Sequence, residues 1–277
     1  MTTLSIHKIK QMYRHGSLPR HWWQGWLCFV LNCPSSWLIS HEEYILKPNE
    51  QAKFVAGMAK MAQGVPLAYL TGDQEFFGRS FWVDESTLIP RADTERLVEV
   101  VLEWIGNQTF CKAGNLLDLG TGTGCIAITL AKALPTWQVL ACDVSMAALK
   151  VAQNNAHRLE ANNCRFVHSD WFDDVSGSFN VIVSNPPYIA KDDEHLARLT
   201  HEPMTALVSD NAGMADIAHI VTKAREFLTC GGLLAIEHGY DQALATRQLF
   251  LDSGYHDVAV VCDYGGNDRL TIGVWRG

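Results

Sequence analysis

From Asn115 onward the chain alternates short apolar runs with stretches whose apolar residues recur at helical spacing. NLLDL precedes CIAITLAKAL, WQVLACD precedes SMAALKVAQNNAHRLE, CRFVHSD and FNVIVS follow, and LLAIEHG precedes DQALATRQLFLDSG. Apolar runs that alternate with helical patterns predict a mostly parallel sheet covered by helices on both faces. The end of the chain breaks the pattern. HDVAVVCDYGGNDRLTIGVW reads as two strands joined through Gly265, Gly266 and Asn267, so the final strand is expected to run antiparallel at or near the sheet edge. The fold class expected is therefore α/β, with seven strands in a Rossmann-like arrangement.

The first 70 residues lack strand alternation. Between Gln51 and Gln63, Phe54, Val55, Met58, Ala59 and Ala62 recur at helical spacing, and the stretch Trp22 to Ile39 reads as a buried helix interrupted by Gln24, Gly25, Asn32 and Pro34. A small helical domain over residues 1–70 is expected, with the Trp22, Trp23 and Trp26 cluster in its core. Glu75 to Ser86, EFFGRSFWVDES, looks like a hairpin within a linker over 71–90. The larger domain then occupies 91–277. It opens with a helix that Asp93 can cap and whose apolar face is Leu97, Val98, Val101, Leu102 and Ile105.

Charge and cysteine usage narrow the classes. The formal net charge of -8 argues against broad clamping of a phosphate backbone, so a DNA partner is not expected. Lys8, Lys10, Arg14 and Arg20 all precede the first acidic residue, Glu42, which makes the N-terminal segment a candidate docking face or simply a solvated one. The eight cysteines form no C-x-x-C pair and no cluster at metal-ligand spacing. A reduced, cytoplasmic protein without a metal is expected, and the interrupted Trp22 to Ile39 stretch, with no cleavage site behind it, argues against a membrane or export segment.

The candidate chemistry gathers at the strand ends. LLDLGTGTGC, Leu116 to Cys125, carries Gly120, Gly122 and Gly124 between a strand and a helix, which lets the backbone turn tightly and lets a nucleotide-like ligand approach. A dinucleotide site competes here, although glycine at every second position departs from G-x-G-x-x-G; the missing lysine excludes a P-loop. Asp143 ends the next strand, where it can accept both hydroxyls of a ribose, cap the following helix with Ser145, or do both. Asp170 and Trp171 end the third, offering an acceptor for an exocyclic amine and a flat ring against a purine. Ligands of open α/β sheets bind at the carboxyl ends of the strands, so three suitable ends in succession reinforce one another.

The fourth strand ends in Asn185-Pro186-Pro187-Tyr188. Asn185 offers a side-chain carbonyl and Pro186 a backbone carbonyl, both stiffened by the prolines, and two fixed acceptors can grip one NH2 group. Tyr188 adds a wall for the planar group that carries the nitrogen. The target implied is a planar amide or an aromatic amine.

Taken together, DLGTGTG, the acidic strand end and NPPY resemble a class I S-adenosylmethionine-dependent methyltransferase acting on planar nitrogen. TLIPRADTE (Thr87 to Glu95), SDWF, SNPPYI, MADIAHI, LLAIEHG and DYGGNDRLTIG resemble, more narrowly, the peptide chain release factor glutamine methyltransferase family from about residue 65 to the end. This resemblance implies methylation of the glutamine amide in the Gly-Gly-Gln motif of class I peptide chain release factors, leaving S-adenosylhomocysteine. It implies that Asp118 and the turn Gly120, Thr121, Gly122, Thr123 and Gly124 hold the methionine part of the cofactor, Asp143 the ribose, and Asp170 and Trp171 the adenine. Asn185, Pro186, Pro187 and Tyr188 would hold the substrate amide. Ala92 departs from the family's usual proline after Ile-Pro-Arg, and Arg91 and Glu237 are candidates for either the pocket or a structural pair. Three other readings stand beside this one: a glutamine methyltransferase of a ribosomal protein, a DNA adenine methyltransferase using the same four residues, and a Rossmann-type binding module without chemistry.

Overall fold

The computed structural model describes residues 3–14, 18–108 and 112–277, which form two compact units, 1–73 and 74–277. In the first unit, helices Ile6–Tyr13, Arg20–Leu31, Trp37–Ser40, Pro48–Ala62 and Leu67–Thr71 enclose a core of Ile6, Ile9, Trp23, Trp26, Leu27, Phe54, Met58 and Met61. The expected helix through Trp22 to Ile39 is two helices, because Asn32 takes the left-handed conformation (φ 49°) that ends the first. Trp23 and Trp26 are core as expected, and Trp22 packs against them while partly buried. Gly57 makes room for one of these rings, since a Cβ there would lie 2.1 Å from Trp26 Cε2. In Pro48–Ala62 the buried face is Phe54, Gly57, Met58 and Met61; Val55, Ala59 and Ala62 turn to solvent.

The strands β1 (Asp73–Phe76) and β2 (Arg79–Trp82) form a two-stranded hairpin. Its turn falls at Phe77 and Gly78, both at positive φ (52° and 68°), the geometry that matches the right-handed twist of the strands. The main sheet comprises β3 (Asn115–Leu119), β4 (Gln138–Asp143), β5 (Cys164–His168), β6 (Phe179–Ser184), β7 (Leu228–Glu237), β8 (His256–Cys262) and β9 (Asp268–Trp275), in the spatial order β5-β4-β3-β6-β7-β9-β8. β9 runs antiparallel to both of its neighbours, β7 and β8, and so lies one strand in from the edge.

Alternation along the strands divides the core into two layers. Leu116, Val139, Val181 and Leu233 face helices Ala92–Gly106 and Cys125–Ala133, while Leu117, Ile182 and Leu234 face Ile217, Ile220, Val221 and Phe250. Cys125–Ala133 is apolar on every side and is buried from Cys125 to Ala131. The helix Ala92–Gly106 buries Leu97, Val98, Val101 and Ile105 as expected, but its N-cap is Arg91, with extended backbone, and Asp93 lies inside the first turn.

Strand order reverses between β3 and β6, the place where open α/β sheets bind ligands. The pairings Leu119↔Cys142, Leu119↔Ser184, Asp143↔His168 and Ser184↔Ile236 set the register there. Continued by one residue, they bring Asp143, Gly120, Asn185 and Glu237 level along the carboxyl edge. No helix among the described residues is long and apolar enough to cross a membrane, and no group of three or more His, Cys, Asp or Glu is placed to hold a metal ion.

Candidate active site

The glycine turn after β3 is built from below by Asp118. This carboxylate is fully buried; its Oδ2 accepts from Thr121 Oγ1 (2.7 Å) and from Ala127 N (3.2 Å) in the first turn of Cys125–Ala133. Oδ1 has no hydrogen-bond partner, and burial pushes the group up to about 7. The side chains of Thr121 and Thr123, expected as cofactor contacts, are buried, and their backbone braces the turn: Thr121 N donates to Cys142 O, and Thr123 O accepts from Asn155 Nδ2. The wall above them is backbone, from Gly120 and Gly122. Gly124 sits in the left-handed region (φ 80°), and a Cβ there would come within 2.8 Å of Ile128 and 3.1 Å of Ala152, so it serves the turn and the packing rather than the cavity wall.

Asp143, at the end of β4, accepts from Gly122 N through Oδ2 and from Ser145 N through Oδ1, both at 2.8 Å. Burial raises its pKa, offset in part by those N–H groups. Ser145 caps the following helix by itself, accepting from Ala148 N. Beyond β5, Ser169 Oγ donates to Trp171 O (2.9 Å) and accepts from Asp174 N (2.9 Å), holding Trp171 at φ 47°. This unfavourable backbone lays the ring over the glycine turn, 3.4 Å from where a Gly120 Cβ would be.

Two cavities lie at this edge. The larger, about 390 Å³, is lined by Gly120, Gly122, Asp143, Asp170, Trp171, Asn185 and Pro187 among others. The smaller, about 100 Å³, is lined by Arg91, Asn185, Pro186 and Tyr188 with Leu88, Ile189, Leu199, Ala206 and Leu207. Asn185 therefore belongs to both. Its Nδ2 donates to the buried Thr94 hydroxyl (3.2 Å). Tyr188 Oη donates to Glu237 Oε1 (3.4 Å), and Tyr188 O accepts from Gln242 Nε2 (2.9 Å). Glu237 is fully buried and pushed up to about 7 by desolvation, against the opposing influence of the Thr94 hydroxyl and Arg269. Burial, reinforced by the neighbouring Glu237 carboxylate, raises Tyr188 well above the ordinary phenol range.

Of the two uncertain candidates, Arg91 lines the smaller cavity and pairs with Glu202 (2.5 Å), whereas Glu237 lies behind it. The shared roof, from Leu199 to Val208, was not foreseen. Its residues carry no periodicity; the signal available was the long connection between NPPY and the next regular helix, Ala215–Ala224.

Comparison with known proteins agrees with this geometry. Residues 95–266 match the Methyltransferase small domain family and residues 18–72 the PrmC N-terminal domain family. The chain is 44% identical over 254 residues to the release factor glutamine methyltransferase of Vibrio cholerae, covering 90% of this chain and 87% of that one. It is 43% identical over 241 residues to the protein of the same name from Escherichia coli, 86% of each chain. A methyltransferase crystal structure from Pyrococcus furiosus shares the fold, with a TM-score of 0.56 at 19% identity over 80% of this chain and 99% of that one. A buried acidic strand end, a glycine turn and an NPPY wall in one sheet edge, matched along nearly the whole chain, have a single consequence: this protein belongs to the release factor glutamine methyltransferase family.

Proposed function

We propose that the protein transfers a methyl group from S-adenosylmethionine to the side-chain amide nitrogen of the glutamine in the Gly-Gly-Gln motif of bacterial class I release factors. The observation that carries this reading is the place of Asn185, the polar side chain that lines both cavities alongside the apolar Leu88 and Ala206. A donor seated in the larger cavity and an amide entering the smaller would meet there.

The larger cavity suits the cofactor. Its volume falls in the range of small-molecule sites. Gly122 leaves open space where a Cβ would stand, Asp143 offers acceptor lone pairs for ribose hydroxyls, and Asp170 and Trp171 offer an acceptor and a ring for adenine. When bound, S-adenosylmethionine supplies an electrophilic methyl group. The residues of the chain act on the other reactant. An amide nitrogen is a weak nucleophile because its lone pair is delocalised into the carbonyl, so its orientation and the charge it develops are what a protein can influence. With Asn185 Nδ2 engaged by Thr94, Asn185 Oδ1 is the end free to accept; with the Pro186 carbonyl it would grip both amide hydrogens and stabilise positive charge growing on the nitrogen. Tyr188 would pack against the plane of the amide. No basic side chain is needed before transfer, and alignment can contribute about 7–11 kcal/mol.

We assign substrate docking to the helical unit and methyl transfer to the unit that follows the hairpin linker. Lys8, Arg14 and Arg20 are exposed there, while Lys10 is spent on Glu42 Oε1 and Leu38 O. Because release factors work on ribosomes, we assign the protein to the cytoplasm. The test is a transfer assay with labelled S-adenosylmethionine, offering a purified class I release factor, a ribosomal protein and unmethylated DNA, with mass spectrometry to find the label. Label on the Gly-Gly-Gln glutamine is expected; label only on the ribosomal protein or DNA overturns the substrate, and none anywhere overturns the reading.

A further inference from the structure

We propose that Thr94 is a positioning residue for methyl transfer: its buried hydroxyl, by accepting from Asn185 Nδ2, fixes which end of the Asn185 amide faces the substrate. The proposal rests on the function argued above. An asparagine amide can present either its oxygen or its NH2 to a neighbour, and only the oxygen can grip a substrate NH2. The flipped amide would set two hydrogens against two hydrogens. What faces the amide from behind therefore decides whether the site is competent.

Thr94 sits in the first turn of Ala92–Gly106 with its side chain buried. Its Oγ1 accepts from Asn185 Nδ2 at 3.2 Å. A hydroxyl has one proton to give, and the Thr94 hydroxyl acts on the Glu237 carboxylate, which lies level with Asn185 on the next strand. Glu237 Oε2 is buried and has no hydrogen-bond partner among the described residues, so it is an acceptor open to the Thr94 proton. With its proton turned away from the amide, the Thr94 hydroxyl accepts from Asn185, which is the hydrogen bond the structure shows. That leaves Asn185 Oδ1 pointing to the cavities. Glu237 accepts from Tyr188 Oη, so both polar side chains of NPPY are held from behind, Tyr188 by Glu237 and Asn185 by Thr94.

The experiment replaces the hydroxyl and leaves the volume. Thr94→Val, Thr94→Ser and Asn185→Ala, alone and combined, are assayed for kcat and KM on a release factor, for S-adenosylhomocysteine affinity by calorimetry, and for Tm. Thr94→Val is expected to lower kcat about 10- to 100-fold, with cofactor affinity and Tm nearly unchanged. Thr94→Ser, which keeps the hydroxyl, is expected to restore most of that loss. In the Asn185→Ala background, Thr94→Val is expected to cost nothing further, because it acts through Asn185. Wild-type kcat in Thr94→Val, failure of Thr94→Ser to rescue, or full additivity with Asn185→Ala would overturn the proposal. Failure of the unaltered enzyme to methylate a release factor would instead overturn the function on which it stands.

Discussion

At the scale of the residue, the structure spends strain and burial where the ligand is expected. Trp171 is a bulky residue at φ 47°, a conformation that costs free energy and is held by the Ser169 hydroxyl. If its ring stacks on adenine, Trp171→Ala should weaken S-adenosylhomocysteine binding by about 1–3 kcal/mol, while Trp171→Phe retains most of it. Calorimetry decides, and equal affinity in all three proteins would contradict the stacking. These residues were legible because each stands at a strand end with chemistry a turn does not need. The side chains of Thr121 and Thr123 were harder to place: alternation with glycine suggests accessibility, yet Thr121 bonds to Asp118 and both side chains are buried. Thr94 and Glu202 were invisible as partners, since contact across 91 or 111 positions has no local signature.

At the scale of the element, the sheet and its helices followed from periodicity, since the central strands β3, β4, β6 and β7 are apolar on both faces and helices such as Ala92–Gly106 and Ala215–Ala224 bury one stripe. The roof over the cavities did not. Its anchor is Glu202, whose buried carboxylate accepts from Arg91 (2.5 Å) and from Ile89 N (3.2 Å), tying the roof to the Ile-Pro-Arg segment ahead of helix Ala92–Gly106. Removing it leaves a buried N–H and a guanidinium without their acceptor. Glu202→Ala should cost about 2 kcal/mol and lower Tm by roughly 4–8 °C, with KM for the release factor rising as the roof loosens. Scanning fluorimetry and steady-state kinetics check both, and an unchanged Tm would show that the pair contributes nothing.

At the scale of the whole molecule, two buried carboxyl groups tie stability to pH. Glu237 and Asp118 are each raised to about 7, from ordinary values of 4.5 and 3.8. A raised carboxyl binds more protons folded than unfolded, so the stability it contributes is present below the unfolded value and is lost as pH climbs to the folded one. His238, lowered by burial, works in the opposite direction. The difference between the wild type and Glu237→Gln isolates one group: between about pH 5 and about pH 8 the wild type should lose more stability than the variant. Parallel denaturation curves would contradict the buried, raised carboxyl. Docking belongs to this scale as well, and charge reversal at Lys8, Arg14 and Arg20 together should raise KM for an intact release factor without altering transfer to a short Gly-Gly-Gln peptide; an unchanged KM would remove the helical unit from recognition.

The central claim is that Asn185 grips the substrate amide at the meeting of two cavities, and its most direct measurement is Asn185→Ala assayed for turnover and for cofactor binding side by side. The account expects kcat on a release factor to fall by about 100-fold or more while S-adenosylhomocysteine affinity stays within about threefold. Equal losses in both, or turnover that survives, would contradict it.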